Sequence, residues 1–434
     1  MALLIGNEPA FLELFFAIVT LGWVAIPFDP KWSKQEAVRI NDNAKPDLMI
    51  TSKQFINVAC YRFASSIAIE DIKKTAIDNQ VIQPAKYSKK PFYLGFTSGS
   101  TGIPKGFIRN HESWLTSFAA GEMAFQYDQD DIIIAPGPLS HSLSLYGAIH
   151  ALHIGATFYL TTSFSAVTTF DLLKAGKATV IYAVPTMLNG LASQLGTVEE
   201  NIIFLSSGAK LETTIKDNLK KIFPTSNIYE YYGASELSFI TYTTKKITEM
   251  YPNSVGKPFP GVKISIRNDA GDSLPINEIG NIYIESNFLF TGYVNNPQAT
   301  KEVLTKHGAN IGDLGFMNDE GILTIVGREK NMMISGGQNV YPEEVEIVIK
   351  QSSHVKDVIV LGIDDIHWGQ KIIAFIQWKD ENLENIKQIR NHCKTHLSIY
   401  KHPRKYYTVK EFPYTRTGKI ARNEIETNMT RWIR

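Results

Sequence analysis

The chain has 434 residues, 44% of them apolar, and carries 44 Lys plus Arg against 43 Asp plus Glu. That length and apolar content support a globular protein of two or more domains, and a net charge of +1 leaves no excess to hold nucleic acid or an anionic membrane surface, so a small-molecule partner is expected. Cys60 and Cys393 stand far apart without metal-ligand spacing, which argues against a disulfide framework and favours a reducing, cytoplasmic setting.

Residues 9–28 form the first apolar run, with Phe11, Leu14, Phe15, Ile18 and Leu21 at helical spacing. No Lys or Arg precedes it and Glu13 interrupts it, so a buried helix is expected in place of a signal peptide or a membrane span. Gly22 suits its C-terminal cap, and Pro27, Asp29 and Pro30 break the regularity. Residues 72–90 read as a solvated connection. An apolar stretch, 93–96, then runs into Thr97, Ser98, Gly99, Ser100 and Thr101, followed by Gly102 and Lys105. Backbone N–H groups and hydroxyls of such a loop can converge on phosphate oxygens while Lys105 supplies a cation. ATP is the ligand expected, although no Gly-Lys-Ser/Thr completes an ordinary P-loop. A helix over 111–124 follows.

Beyond residue 131, strands are predicted at 132–135, 156–160, 179–183, 202–205 and 227–231, with amphipathic stretches at 186–195 and 211–222 between them. This alternation is that of a layered α/β domain. Strands without helices, 262–267 and 281–285, mark a small β unit, and after Gly327 strands at 358–362 and 371–378 with a helix at 386–397 make a smaller domain. The fold class expected is α/β: a large layered N-terminal domain with a small β unit, and a smaller α+β C-terminal domain.

Three further places carry chemistry. A strand-like segment ends at Gly233 and presents Ser235 and Glu236; a carboxylate beside a triphosphate is a usual way to hold Mg²⁺. Asp313, in a Gly-flanked turn, can accept both hydroxyls of a ribose. Arg328 adds a planar cation suited to oxygen anions. Near the end, Gly418 beside Lys419 suggests a loop able to carry the ammonium into a site.

Residues 97–106 resemble the signature of the AMP-forming adenylating enzymes, a family that includes acyl-CoA synthetases, peptide-synthetase adenylation domains and luciferases. The segments 229–236, 206–211, 311–315, 327–346 and 412–419 resemble its further motifs in the same order. The resemblance implies that Tyr232 stacks on adenine with Gly233 beside it, that Gly208 and Ala209 let the backbone approach the base, and that Ser235 bonds the α-phosphate. It puts His141 near the acyl pocket and Lys330 at a hinge between a large domain, 1–327, N-terminally short relative to the family, and a small mobile domain, 328–434. It also implies that Gly336 and Gly337 line the path of a pantetheine thiol and that Lys419 bridges the acid's carboxylate and the α-phosphate. Ser207, Lys210 and Ile311 depart from the residues usual in the family.

The function so implied is that of an acid–CoA ligase using ATP, Mg²⁺ and CoA. It would convert a carboxylic acid, expected to be a fatty acid, to acyl-AMP with release of pyrophosphate and then pass the acyl group to the thiol. An amino-acid or aryl-acid adenylating enzyme, or a non-catalytic nucleotide-binding relative, is the alternative. The acidic residue that an amino-acid enzyme would need shortly after His141 is replaced here by Ser142, Leu143 and Ser144.

Overall fold

The computed structural model describes residues 1–56, 65–72, 89–97, 105–380, 385–415 and 420–432. They fall into two units, Met1–Ile264 with Ile284–Ala309, and Ser265–Tyr283 with Asn310–Arg434.

The first unit begins with a small parallel sheet in which β1 (Ala2–Leu4) lies between β2 (Ile26–Pro27) and β3 (Met49–Thr51), and β3 pairs with β4 (Ser66–Ala68). Between β1 and β2 runs α1 (Pro9–Thr20), which buries Phe11, Leu12, Phe15 and Ile18. Gly22, at φ 76°, ends it, and the Trp23 N–H donates back to the Ile18 carbonyl. Leu21 was expected on the buried face but is 40% exposed, because the helix closes one residue earlier; Leu12 takes a buried place instead. Helix α2 (Lys34–Ala44) starts with a capping box in which the Glu36 N–H donates to Ser33 Oγ and the Ser33 N–H to Glu36 Oε2.

Strands β5 (Pro91–Thr97) and β6 (Lys105–Asn110) pair antiparallel, and Asn110 caps α3 (His111–Phe125) by accepting the Ser113 N–H at 2.8 Å. The main sheet then follows. Strands β7 (Ile132–Ile134), β8 (Thr157–Tyr159), β9 (Val180–Ala183), β10 (Ile203–Ser206) and β11 (Asn227–Ala234) are parallel, while β12 (Ser238–Tyr242) and β13 (Lys257–Pro258) continue antiparallel in the order β13-β12-β11-β10-β9-β7-β8. Helix α4 (Ser142–Ile154) connects β7 to β8, α5 (Ala166–Lys174) leads into β9, and α6 (Pro185–Leu191) and α7 (Thr213–Ile222) flank β10 in sequence. Every residue of β9 and β10 is buried, as expected of parallel strands covered on both faces. The chain crosses between the units within β14 (Lys263–Arg267) and β15 (Gly280–Glu285), and in the first unit β16 (Gly292–Tyr293) pairs antiparallel with β6.

In the second unit β14 pairs with β15, β15 with β17 (Asp313–Met317), and β17 with β18 (Leu323–Arg328). A separate sheet holds the hairpin β19 (Met333–Ser335) and β20 (Gln338–Val340), the long antiparallel pair β21 (Val355–Asp365) and β22 (Gly369–Trp378), and β23 (Lys405–Val409) parallel to β22. Helices α8 (Pro342–Lys350) and α9 (Ile386–His396) bring Val345, Ile349 and Cys393 against Val360, Ile372 and Ala374, all fully buried. The α/β class with a smaller α+β part is thus the architecture observed. Among the described residues no helix is long and apolar enough to cross a membrane.

A polar cluster lies buried between α3, α4 and β9. His150 stacks on Phe118 at 4.4 Å, its Nε2 faces Glu122 Oε1 at 3.3 Å, and its Nδ1 shares a hydrogen bond with the Tyr127 hydroxyl at 2.5 Å. Burial pulls the imidazole pKa down to about 3, so it is neutral in the folded protein while the unfolded chain takes up a proton near its usual 6.5. Stability therefore falls as the pH drops from about 6.5 toward 3, by up to about 1.4 kcal/mol per pH unit from this group alone. Denaturant unfolding of wild type and His150→Gln at pH 7, 6 and 5 should show a shallower acid loss in the variant; equal slopes would remove His150 as a cause.

Candidate active site

The β11–β12 hairpin presents the first cluster. At Gly233 a Cβ would stand 2.3 Å from the Ser238 carbonyl oxygen, so only glycine lets the two strands close this tightly, and the register shifts between Tyr232 and Gly233. Ser235 and Glu236 follow at the tip, where the Leu237 N–H donates to the Ala234 carbonyl. The Phe290 N–H donates to the Glu236 carbonyl, which sets the segment before β16 beside the tip. Tyr293, on β16, donates its hydroxyl to Glu236 Oε1 at 2.7 Å, and Lys105 Nζ lies 5.2 Å from the centre of the Tyr293 ring. Burial, then the Glu236 charge, pushes the Tyr293 hydroxyl above its usual pKa, so it acts as a donor at neutral pH. Lys105 faces Thr97 across the β5–β6 ladder, so both ends of the predicted phosphate loop emerge side by side. Ser98, Gly99, Ser100, Thr101 and Gly102 lie outside the described residues.

Arg109 holds this arrangement from beneath. It is 2% exposed, and its guanidinium donates to the Ser235 carbonyl at 2.9 Å, the Phe288 carbonyl at 2.6 Å and Ser113 Oγ at 3.1 Å. Burial pulls its pKa down to about 10, which still leaves it charged at neutral pH. The planar fork thus ties β6, the hairpin tip and the 284–294 segment together.

On the other side of the tip, Ser235 Oγ lies 3.4 Å from Ser142 Oγ, and Ser142 lies 3.4 Å from the Tyr93 hydroxyl. His141 stands at the N-terminal boundary of α4 and uses Nε2 to bond Asp29 Oδ2 at 3.0 Å; its side chain makes no capping bond. Asn7 fixes the preceding loop by donating to Gly137 and accepting the Leu139 N–H. Gly208, at φ 94°, and Ala209 follow β10 and are exposed, while Tyr231 and Ser207 share a side-chain hydrogen bond. Lys210, which departs from the usual proline, is exposed and donates to the Pro252 carbonyl.

In the second unit the two predicted ribose groups meet. Asp313 and Arg328 are direct partners across β17 and β18, and Arg328 Nε donates to Asp313 Oδ1 at 2.8 Å. The carboxylate is buried and the guanidinium half exposed. Lys330 sits in a short 3₁₀ turn, Glu329–Asn331, and its pKa is lowered by burial and by the neighbouring Arg328. Gly336 and Gly337, at φ 59° and 77°, form the two-residue turn of the β19–β20 hairpin between Ser335 and Gln338, a conformation that two glycines adopt without strain. The ring of Trp368 would lie 3.2 Å from a Cβ at Gly336. Lys419 lies outside the described residues.

Tyr293, Arg109 and Asp29 emerge only from the structure. Arg109 carried the one available signal, a cation directly after the apolar Phe107 and Ile108 and just before a helix cap; the pairing of Tyr293 with Glu236 had none.

Residues 1–294 match the model of the family described as AMP-binding enzyme, and residues 344–419 that of the AMP-binding enzyme C-terminal domain. A Bacillus subtilis protein named uncharacterized acyl–CoA ligase YhfT is 36% identical over 98% of this chain and 87% of its own length. A Staphylococcus epidermidis protein provisionally named long chain fatty acid-CoA ligase VraA is 34% identical over 80% of this chain and 74% of its own. Among solved structures, o-succinylbenzoate CoA synthetase (MenE) of Bacillus subtilis in complex with the acyl-adenylate intermediate OSB-AMP superposes with a TM-score of 0.89 and 25% identity, over 98% of this chain and 87% of that one.

Replacing Arg109 by Met keeps the stem but leaves the buried Phe288 carbonyl and the part-buried Ser235 carbonyl without this donor, and should cost about 2–5 kcal/mol of unfolding free energy in the first unit. A loss below 0.5 kcal/mol in denaturant titration would show that the fork is not needed to hold the hairpin.

Proposed function

The chain belongs to the AMP-binding enzyme family, and we propose that within it the protein works as an ATP-dependent acid–CoA ligase. The observation that carries this reading is the hairpin tip, where Tyr293 meets Glu236 through its hydroxyl and Lys105 through its ring, and the Ser235 carbonyl is fixed by Arg109. A carboxylate oxygen of the acid attacks the α-phosphorus of ATP; the bond to the bridging oxygen breaks, and pyrophosphate leaves with the electron pair. The acyl-adenylate then loses AMP when the CoA thiol, giving up its proton, attacks the acyl carbonyl. Repulsion between anions opposes the first step, so the chain must offset charge and align the reacting atoms.

In this reading Thr97, Ser98, Gly99, Ser100, Thr101, Gly102 and Lys105 hold the leaving phosphates. Tyr232, Gly233, Gly208 and Ala209 receive the base, Ser235 the α-phosphate, and Asp313 with Arg328 the ribose. Glu236 offers a hard oxygen donor among hydroxyls, a set that suits Mg²⁺, which is commonly held by one or two carboxylates together with substrate phosphates. Bound there, the ion would offset phosphate charge. Tyr293 orients that carboxylate. Asp29 orients His141 beside the acid. Lys419 bridges carboxylate and α-phosphate in the first half-reaction. The division at 1–327 and 328–434, with Lys330 as hinge, lets Lys419 give way to the glycine turn at Gly336 and Gly337 for the second.

Lys419→Ala should cut acid-dependent pyrophosphate release by about 10²-fold or more, the scale of one well-placed electrostatic group, while thioester formation from preformed acyl-adenylate is retained. Equal loss in both half-reactions would contradict the division. Pyrophosphate release measured over a panel of acids, with and without CoA, tests the reading itself: tight ATP binding with no acid-dependent release would make the protein a nucleotide binder instead.

A further inference from the structure

The acid must bring its carboxylate beside Ser235, and its tail must go where the fold leaves room. Ser142 borders that position, 3.4 Å away, and opens α4. One and two turns further along the same face of α4 stand Tyr146 and His150. Opposite them Tyr231 lies on the strand that leads into the hairpin, and Tyr182 lies on β9. The rings of Tyr146 and Tyr231 pack on Phe239 at 5.2 and 5.0 Å, and Tyr182 is 6.4 Å from Tyr146. At Gly147 a Cβ would already lie 3.1 Å from the Tyr182 ring, so the helix and that ring are in contact.

The hydroxyls of these rings are engaged inside the protein. Tyr146 bonds Ser117 Oγ at 2.9 Å, Tyr182 bonds the Tyr127 hydroxyl at 2.6 Å, and Tyr231 bonds Ser207. Tyr146 is 7%, Tyr182 1%, Phe239 3% and Leu145 0% exposed, so these four side chains leave no water-sized gap among themselves, and Tyr231 beside them is partly exposed. Moving Tyr182 would break the chain through Tyr127 to His150 as well. A close-packed, hydrogen-bonded floor resists opening far more than a loose aliphatic one would.

We infer that the acid pocket is shallow and floored by Tyr146, Tyr182 and Tyr231, so that the acid activated is a compact one in place of the fatty acid expected from the resemblance. This rests on the proposed adenylation at Ser235. Tyr146 and Tyr231 are then the residues that set the length limit.

The test measures kcat/KM for acid-dependent pyrophosphate release with acetate, butyrate, benzoate, octanoate and hexadecanoate. An open apolar channel rewards each added methylene by about fourfold; the floor described here predicts the reverse, with octanoate at least tenfold below butyrate or benzoate and hexadecanoate lower still. Tyr146→Ala should raise the octanoate-to-butyrate ratio at least tenfold, whereas Tyr146→Phe, which keeps the ring, should leave it within threefold of wild type. Wild-type preference for octanoate or hexadecanoate overturns the inference while upholding adenylation. An unchanged ratio in a folded Tyr146→Ala protein overturns the role of Tyr146, and if that variant does not fold, the wild-type series still decides. Absence of release with every acid, with ATP bound, fails the underlying reading instead.

Discussion

The first unit depends on one buried cation. Arg109 spends its donors on the carbonyls of Ser235 and Phe288 and on Ser113, and in doing so it fixes the hairpin tip against the segment that carries Tyr293. A guanidinium is costly to bury unless its donors are satisfied, so the arrangement is stable only when all three segments are in place. That condition couples the fold to the chemistry. Glu236 has a defined position because the backbone of its neighbour is clamped, and its carboxylate is aimed because Tyr293 donates to it.

The parts of this arrangement differ in how far they could be read from the chain. The five parallel strands of the main sheet were legible because β-branched and aromatic runs such as those of β9 and β10 are buried throughout and flanked by amphipathic helices, whereas the antiparallel β12 and β13 were not. The segment ending at Gly233 was legible because a strand pattern there is soon followed by a hydroxyl and a carboxylate, whereas the return strand β12 and the backbone contact that requires glycine were not. Asp313 and Arg328 were each recognised alone, and their pairing follows from the antiparallel register of β17 and β18.

What escaped was set by long-range contact. Arg109 meets Ser235 and Phe288 across 126 and 179 residues, and Tyr293 meets Glu236 across 57. No local pattern encodes such partners. The β1 and β16 strands have three and two residues, too short for alternation to register, and are held by neighbours supplied from elsewhere in the sequence. The end of α1 at Gly22 was legible, but Leu21, which continues the apolar spacing, is exposed because it is the closing residue beside the turn.

The account stands on the hairpin being the place where acid and ATP react. Exchange of labelled pyrophosphate into ATP reports that step alone, since it needs acyl-adenylate to form and reverse without CoA. Wild type should exchange label only when Mg²⁺ and a substrate acid are both present, Glu236→Gln should lose about 10²-fold or more, and Tyr293→Phe should exchange more slowly and need more Mg²⁺. Full exchange in Glu236→Gln at the wild-type Mg²⁺ requirement would contradict the account.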